Sequence, residues 1–320
     1  MTRATFDIGL NAVIAAVTEE EPRVLLVRSP GSGSEKEPHP GPALPVGLLD
    51  PLKDRTLELA LRRRVREQTG LALGYVEQLY TFGDRDRDPG VIEEGLRALS
   101  VAYLALVREA VPSGEREAGW LGIYDFFPWE DWRGGRPSVL DRRLLPALEG
   151  WVDAAPVGNA RGERRERADI TFGLGGVAWN GERVLERYEL LYEAGLVSEA
   201  VRDRGTAPVD GSGRSMALDH RRILATALGR LRGKLRYRPV VFELLSETFT
   251  LLRLQRVVEA LAGVRLHKQN FRRLVETAGL VEGTGELDTQ TGGRPAERFR
   301  FRREVLRERP APGVGLPASR

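Results

Sequence analysis

The chain has 320 residues, 41% of them hydrophobic, enough to bury a core in each of two domains. It contains no cysteine, which excludes disulfides and thiolate-held metal and suits a reducing cytoplasm, and no apolar run approaches the roughly 20 residues of a membrane span. The net charge of +3 is unevenly divided: residues 1–216 sum to −7 and residues 217–320 to +10, so an acidic front precedes a rear suited to a polyanion. Nearly all the basic residues are arginines, a compositional bias that weakens charge alone as a signal.

In chain order, residues 4–17 and 22–29 run apolar or alternate as strands do. The apolar run Gly9 to Val17 is broken by Asn11 and preceded by Asp7, which predicts an opening strand and not a signal peptide. Residues 30–42, rich in Gly, Ser, Pro and Glu, read as a mobile loop. Over 55–70, Leu57, Leu61 and Val65 form an apolar stripe at four-residue spacing, which predicts an amphipathic helix. Strands are expected at 76–82 and 98–107, joined by the charged loop GDRDRDPGVIEEG, and the alternation describes an α+β layered domain. The aromatic-dense IYDFFPWEDW (123–132) is expected to pack a loop onto the core. Helices are expected at 140–152 and within 182–203, with 160–168 exposed; 150–216 reads as an insertion that packs on the domain or builds a dimer contact. Residues 218–238 form a further helix, with Asp219 placed to cap it, Ile223, Leu224, Leu228, Leu231 and Leu235 as its apolar stripe, and Pro239 ending it. His220, near its start, has no histidine neighbour at metal-ligand spacing and reads as structural.

The segment Gly47 to Leu71, GLLDPLKDRTLELALRRRVREQTGL, resembles the Nudix box, G-x5-E-x7-R-E-U-x-E-E-x-G-U, a loop and helix that hold divalent metal on a diphosphate. Gly70 and Leu71 fill the closing pair, and Arg63 and Val65 the arginine and apolar places. The three metal-binding glutamates fall on Arg64, Glu67 and Gln68, and the loop from Gly47 to Arg63 runs two residues long. Positions 64, 67 and 68 share one helix face. Where the motif presents about three negative charges to a hard cation, these three side chains sum to zero. The expectation is a Nudix fold that binds a nucleotide without cutting it, with no catalytic residue, no metal and no cofactor. The plainer reading is a surface helix in which Glu67 pairs with Arg63. Arg63 and Glu67, by motif position, and Arg85 and Arg87, by loop charge, are the candidate ligand contacts.

The rear holds a second pattern. Residues 249–262 read as a helix begun by a threonine cap, Gly263 and Val264 as a turn, and Lys268 to Ala278 as a second helix, followed by two strand-like pieces around a glycine-rich tip. This is the outline of a winged helix-turn-helix, whose second helix enters the major groove. Phe271, Leu274 and Val275 would face the core, leaving Lys268, Gln269, Asn270, Arg272 and Arg273 as a polar side able to pair with base edges and phosphates. Arg294 and Arg298 are the candidate wing contacts. Winged helices also serve as protein–protein modules, and arginines on an exposed face are often only solvated.

Together with VEQLYTFGDRDRDP (76–89), DHRRILATALGRLRGKLRY (219–237) and GGRPAERFRF (292–301), these blocks make the chain similar to the Nudix-related transcriptional regulators of NAD metabolism. The resemblance implies an α/β/α sandwich with a mixed sheet over 1–238, a winged helix over 239–309, and a disordered tail over 310–320. It also implies a nucleotide effector such as ADP-ribose, a palindromic double-stranded DNA operator and a cytoplasmic homodimer with no membrane contact. Residues 150–216 have no counterpart in the shorter members, and longer relatives with intact boxes are hydrolases. An active hydrolase of ADP-ribose, with ligands recruited from Glu93 or Glu94, and a non-enzymatic scaffold are the alternatives.

Overall fold

In the computed structural model of the protein, the residues described are 6–28, 41–84, 97–156, 158–204, 209–289 and 295–315. The opening apolar run is strand β1 (Phe6–Thr18), followed by β2 (Glu21–Arg28), β3 (Pro42–Ala43), β4 (Val46–Leu48), helix α1 (Leu57–Thr69), β5 (Tyr75–Phe82), β6 (Arg97–Leu106) and β7 (Ala118–Gly122). These seven strands form one sheet in the order β3-β2-β1-β6-β5, with β4 also on β1 and β7 also on β2. The sheet is mixed: β1 runs parallel to β6 and antiparallel to β2 and β4.

Strand β1 shows why the sheet is covered on both sides. Its side chains point alternately to opposite faces: Leu10, Ala12 and Ile14 pack with Ala60, Leu61 and Val65 of α1, whereas Val13, Ala15 and Val17 belong to the larger core on the other face. Both sets are almost wholly buried, which is why the run reads as continuously apolar. Helix α1 starts at Thr56, whose hydroxyl accepts from the Leu59 N–H at 3.2 Å, and stops at Gly70, in the left-handed region at φ 73°. Truncating Leu61 to alanine in this layer would cost about 2–5 kcal/mol.

The second face is covered by the middle of the chain. The aromatic stretch forms the short helix α2 (Ile123–Phe126) and a 3-10 turn over Pro128–Glu130, with Phe126, Phe127 and Trp129 completely buried. A π-helical turn (Leu140–Leu144) leads into α3 (Leu145–Asp153), and then come α4 (Ala160–Phe172), α5 (Val184–Glu193), α6 (Ser198–Arg204) and α7 (His220–Tyr237). Leu148, Phe172, Tyr188, Leu191, Leu224 and Leu228 lie in one core with Phe127 and Trp129, so this helical stretch packs on the domain. The excursion before α7 is closed by Arg221. Fully buried, it pairs with Glu199 at 3.0 Å and donates to the carbonyls of Phe126 and Ser212. His220 is likewise structural, its Nδ1 accepting from the Leu44 N–H at 3.0 Å. Asp219 occupies the N-cap position of α7 but makes no capping hydrogen bond, because its φ of −97° and ψ of 18° depart from the extended conformation that aims a cap inward.

A 3-10 turn (Val240–Leu244) leads to β8 (Thr248–Thr250), α8 (Leu251–Ala262), α9 (Lys268–Thr277), β9 (Val281–Asp288), β10 (Ala296–Phe301) and the short α10 (Val305–Glu308). The small sheet is ordered β8-β10-β9 and entirely antiparallel. The tail expected to be disordered from 310 is ordered through residue 315. Val314 is buried and donates its N–H to the Leu235 carbonyl at 2.9 Å, while Gly313 lies so close to the end of α7 that a Cβ there would meet the Arg236 carbonyl carbon at 2.2 Å. Among the described residues, no helix is long and apolar enough to cross a membrane.

Candidate functional site

The Nudix-like helix α1 brings Arg63 and Glu67 together as the motif requires and then closes their charges on each other. Arg63 reaches Asp54 at 2.7 Å and Glu67 Oε1 at 3.1 Å, while Arg64 reaches Glu67 Oε2 at 3.3 Å. The hydrogen bond from Arg63 holds the Asp54 carboxyl below the usual carboxylate range. Gln68 turns inward and donates from Nε2 to the Val46 carbonyl at 2.5 Å. Gly47 lies under Arg64, where an added Cβ would meet Arg64 Cγ at 2.6 Å, so the loop glycine makes room for the arginine.

A divalent cation needs several carboxylate or water oxygens free to face it. Here both oxygens of Glu67 are engaged by guanidinium groups, Asp54 is claimed by Arg63, and the other two acid places carry a cation and a bonded amide. These residues do not fit a magnesium site. What they border is a cleft of about 490 Å³ lined by Arg62, Arg63, Arg66, Glu67, Ala72 and Leu73. Arg62 pairs with Glu58 at 2.8 Å and Arg63 with Asp54 and Glu67, which leaves Arg66, exposed and with no side-chain hydrogen bond or ion pair among the described residues, as the guanidinium open to an anion. The motif did not single out Arg62 and Arg66; the signal available was their four-residue spacing, which stacks them on one edge of the helix. Arg85 and Arg87, together with Glu93 and Glu94, lie outside the described residues.

The rear module places its polar side outward. Helix α8 begins at Thr250, whose hydroxyl accepts from the Arg253 N–H at 3.1 Å, and ends at Gly263 with φ 73°. A Cβ on Gly263 would come within 2.4 Å of the Glu130 carbonyl oxygen, so the turn into α9 sits directly on the aromatic strap. On α9, Phe271 and Val275 are buried and Leu274 half-buried, which turns Lys268, Gln269, Asn270, Arg272 and Arg273 to solvent. None of these five makes a hydrogen bond or ion pair among the described residues. In the wing, Arg298 is instead held within its own sheet, by Thr248 Oγ1 at 3.1 Å and Asp288 at 3.1 Å, and Arg300 pairs with Glu282 at 2.6 Å. Arg294 lies outside the described residues.

Between the two sites is a buried charge cluster that sequence reasoning missed. Glu130, fully buried, pairs with Arg187 of α5 at 2.5 Å and Arg232 of α7 at 2.5 Å. Arg232 also donates to the Leu261 carbonyl near the end of α8 at 3.2 Å, and the Tyr124 hydroxyl donates to the Ala260 carbonyl at 2.6 Å. Burial pushes the Glu130 carboxyl up, but Arg187 and Arg232 outweigh it and leave the group below its ordinary range. The partners lie 57 and 102 residues away in the chain, a separation that leaves no local pattern.

Comparison with known proteins agrees with this division. Residues 9–142 match the NUDIX domain family, and residues 241–301 match the NrtR DNA-binding winged helix domain. The protein named ADPR responsive transcriptional repressor NtrR, from Acinetobacter baylyi, is 38% identical over 86 residues, 27% of this chain. The match spans about a third of that relative's length, 34%. Among solved structures, Shewanella oneidensis NrtR complexed with a 27mer DNA is similar at 22% identity and a TM-score of 0.56, over 94% of this chain and 95% of that one. A MutT/nudix family protein from Enterococcus faecalis is similar at 19% identity and a TM-score of 0.54, over 94% and 88%. These structural likenesses concern the fold, and they run through the helical middle of the chain as well as its two ends. The chain thus carries, in one polypeptide, a front segment similar to the NUDIX domain and a rear segment similar to the NrtR winged helix domain.

Proposed function

We propose that this protein is a ligand-responsive transcriptional regulator. Residues 1–238 bind a nucleotide diphosphate such as ADP-ribose, as the name of the Acinetobacter relative suggests, and residues 239–309 bind double-stranded DNA. The observation that carries the reading is α9, where five polar side chains suited to base edges and phosphates are exposed together and engaged by nothing among the described residues. The arginine-lined cleft beside Glu67 supports the effector half, since it can hold a pyrophosphate and, among the described residues, offers no free carboxylate to seat a metal on it. Two copies of the chain pair in the cytoplasm about a twofold axis, so that two α9 helices meet a palindromic operator about one DNA turn apart. The nucleotide acts by binding one arrangement of the pair better than another, and that difference in affinity is the whole switch.

Fluorescence anisotropy with DNA from upstream of the gene tests the reading. Binding is expected in the nanomolar range, about 10⁻⁸ M or tighter, to weaken by roughly 10³-fold or more between about 50 and 200 mM salt, and to shift when ADP-ribose is added. A binding curve indifferent to salt defeats the DNA half, and indifference to ADP-ribose defeats the effector half. No release of AMP or ribose 5-phosphate that depends on Glu67 is expected in the presence of magnesium.

A further inference from the structure

The turn between β1 and β2 carries an unexplained cost. Thr18 pairs with Glu21 across a two-residue loop, and both loop residues, Glu19 (φ 50°) and Glu20 (φ 65°), adopt the left-handed conformation that asparagine and glycine take easily and glutamate does not. Backbone strain of this kind persists where the surroundings hold it for a purpose. The surroundings here are the helix-turn-helix. The Glu20 carboxylate divides between Arg256 of α8 at 3.3 Å and Arg265 of the turn before α9 at 3.3 Å. Both arginines are gripped from beneath by Glu259, itself 1% exposed, at 3.0 and 2.8 Å. Glu259 also accepts the Leu266 N–H at 2.9 Å, which fixes the turn leading into Lys268. On the sheet side, Arg133 binds the Glu20 carbonyl and the Glu21 carboxylate, and Arg253 of α8 donates to the Val17 carbonyl at 3.3 Å.

Glu20 is 41% exposed, and ion pairs that open to solvent add little to global stability. Stability therefore does not account for a strained glutamate at this place; position does. The other end of the same strand reaches the Nudix-like motif: Leu10 is paired with Gly47, under Arg64, and Asn11 with Val46, which holds Gln68. From Leu10 to Thr18 the strand spans roughly 26 Å at the usual rise of about 3.3 Å per residue. One strand thus touches the Nudix-like motif, whose helix α1 lines the cleft, at one end and the approach to the recognition helix at the other.

We infer that Glu20 is a positioning residue for the recognition helix, the contact through which β1 passes a change at the Nudix cleft to the DNA-reading module. The coupling part of this inference rests on the effector reading above; the positioning part does not. Two variants test it. Glu20→Gln removes the charge at constant size, and Glu20→Gly removes it while relieving the left-handed backbone, so the glycine variant is expected to melt higher than the glutamine variant. In the protein without ligand, both are expected to speed amide hydrogen exchange over residues 263–267. With operator DNA, both are expected to reduce the effect of saturating ADP-ribose on operator affinity from about tenfold to near onefold, and to leave ADP-ribose affinity in the absence of DNA unchanged. Loss of coupling in both variants, despite their different melting temperatures, separates positioning from stability. Wild-type coupling and wild-type exchange in both variants would overturn the inference. A wild-type protein that ignores ADP-ribose, with exchange still faster in the variants, would instead defeat the effector reading and leave the positioning contact standing.

Discussion

Helices α1 and α9 are both short, amphipathic and rich in arginine, and they differ in whether the protein answers those arginines itself. On α1, Arg63 and Arg64 are met by Asp54 and Glu67; on α9, Arg272 and Arg273 are met by nothing among the described residues. A paired guanidinium shapes a surface and presents a partial charge, whereas an unpaired one keeps its full attraction for an incoming phosphate. Residue type and net charge are the same signal at both places, so pairing, not composition, separates Arg63 and Arg64 from the exposed face of α9.

The largest effect is expected in the interior, where pairing is complete and dry. Replacing Glu130 by glutamine strands Arg187 and Arg232 and is expected to cost about 3–5 kcal/mol in urea unfolding; a loss under about 1 kcal/mol would show that the cluster does not hold α5, α7 and α8 together. The Glu130 carboxyl lies below its ordinary value when folded, so its contribution is whole above about pH 4.3 and is lost as the pH falls through the lower folded value. On the unpaired face, Arg272→Ala or Arg273→Ala is expected to weaken operator binding by about 1–3 kcal/mol where the residue reads a base, and to relax specificity at that position. Lys268→Ala, if it touches only phosphate, weakens all sequences alike and lowers the salt slope by about one. The smallest effect is expected on α1. Glu67→Ala frees one bond each on Arg63 and Arg64, with a change in stability within about 0.5 kcal/mol and a modest gain in nucleotide affinity measured by calorimetry. Affinity that falls instead would make Glu67 itself a ligand contact. Because Asp54 lies below its ordinary value, it stays ionised from about pH 5 to 8, and its hold on Arg63 is not released in that range.

Much of the architecture was readable because it is periodic. The continuous apolar run of β1 and the spacing of Leu57, Leu61 and Val65 placed strand and helix within a residue or two of their bounds. Thr250 and Gly263 bracketed α8 through local capping chemistry. The five exposed residues of α9 followed from where Phe271 and Val275 had to point. What escaped was non-local. That Glu130 would meet Arg187 and Arg232, or that Glu20 would lie on Arg265, depends on elements far apart in the chain. Arg298 illustrates the limit differently: its alternation with Phe299 was correct, but Asp288 on the neighbouring strand takes up the charge that suggested a wing contact. Arg66 was missed because the motif names only the residues around it.

The segment that follows the wing returns to α7, where Val314 hydrogen-bonds Leu235 and Gly313 nests against Arg236. The rear module is therefore tied to α7 at both of its ends, by the chain that enters it after Tyr237 and by the chain that leaves it, as well as through the buried contacts of α8. A cut or bulky fusion just before residue 313 would remove one of those ties and leave the packing of α8 to hold the module alone.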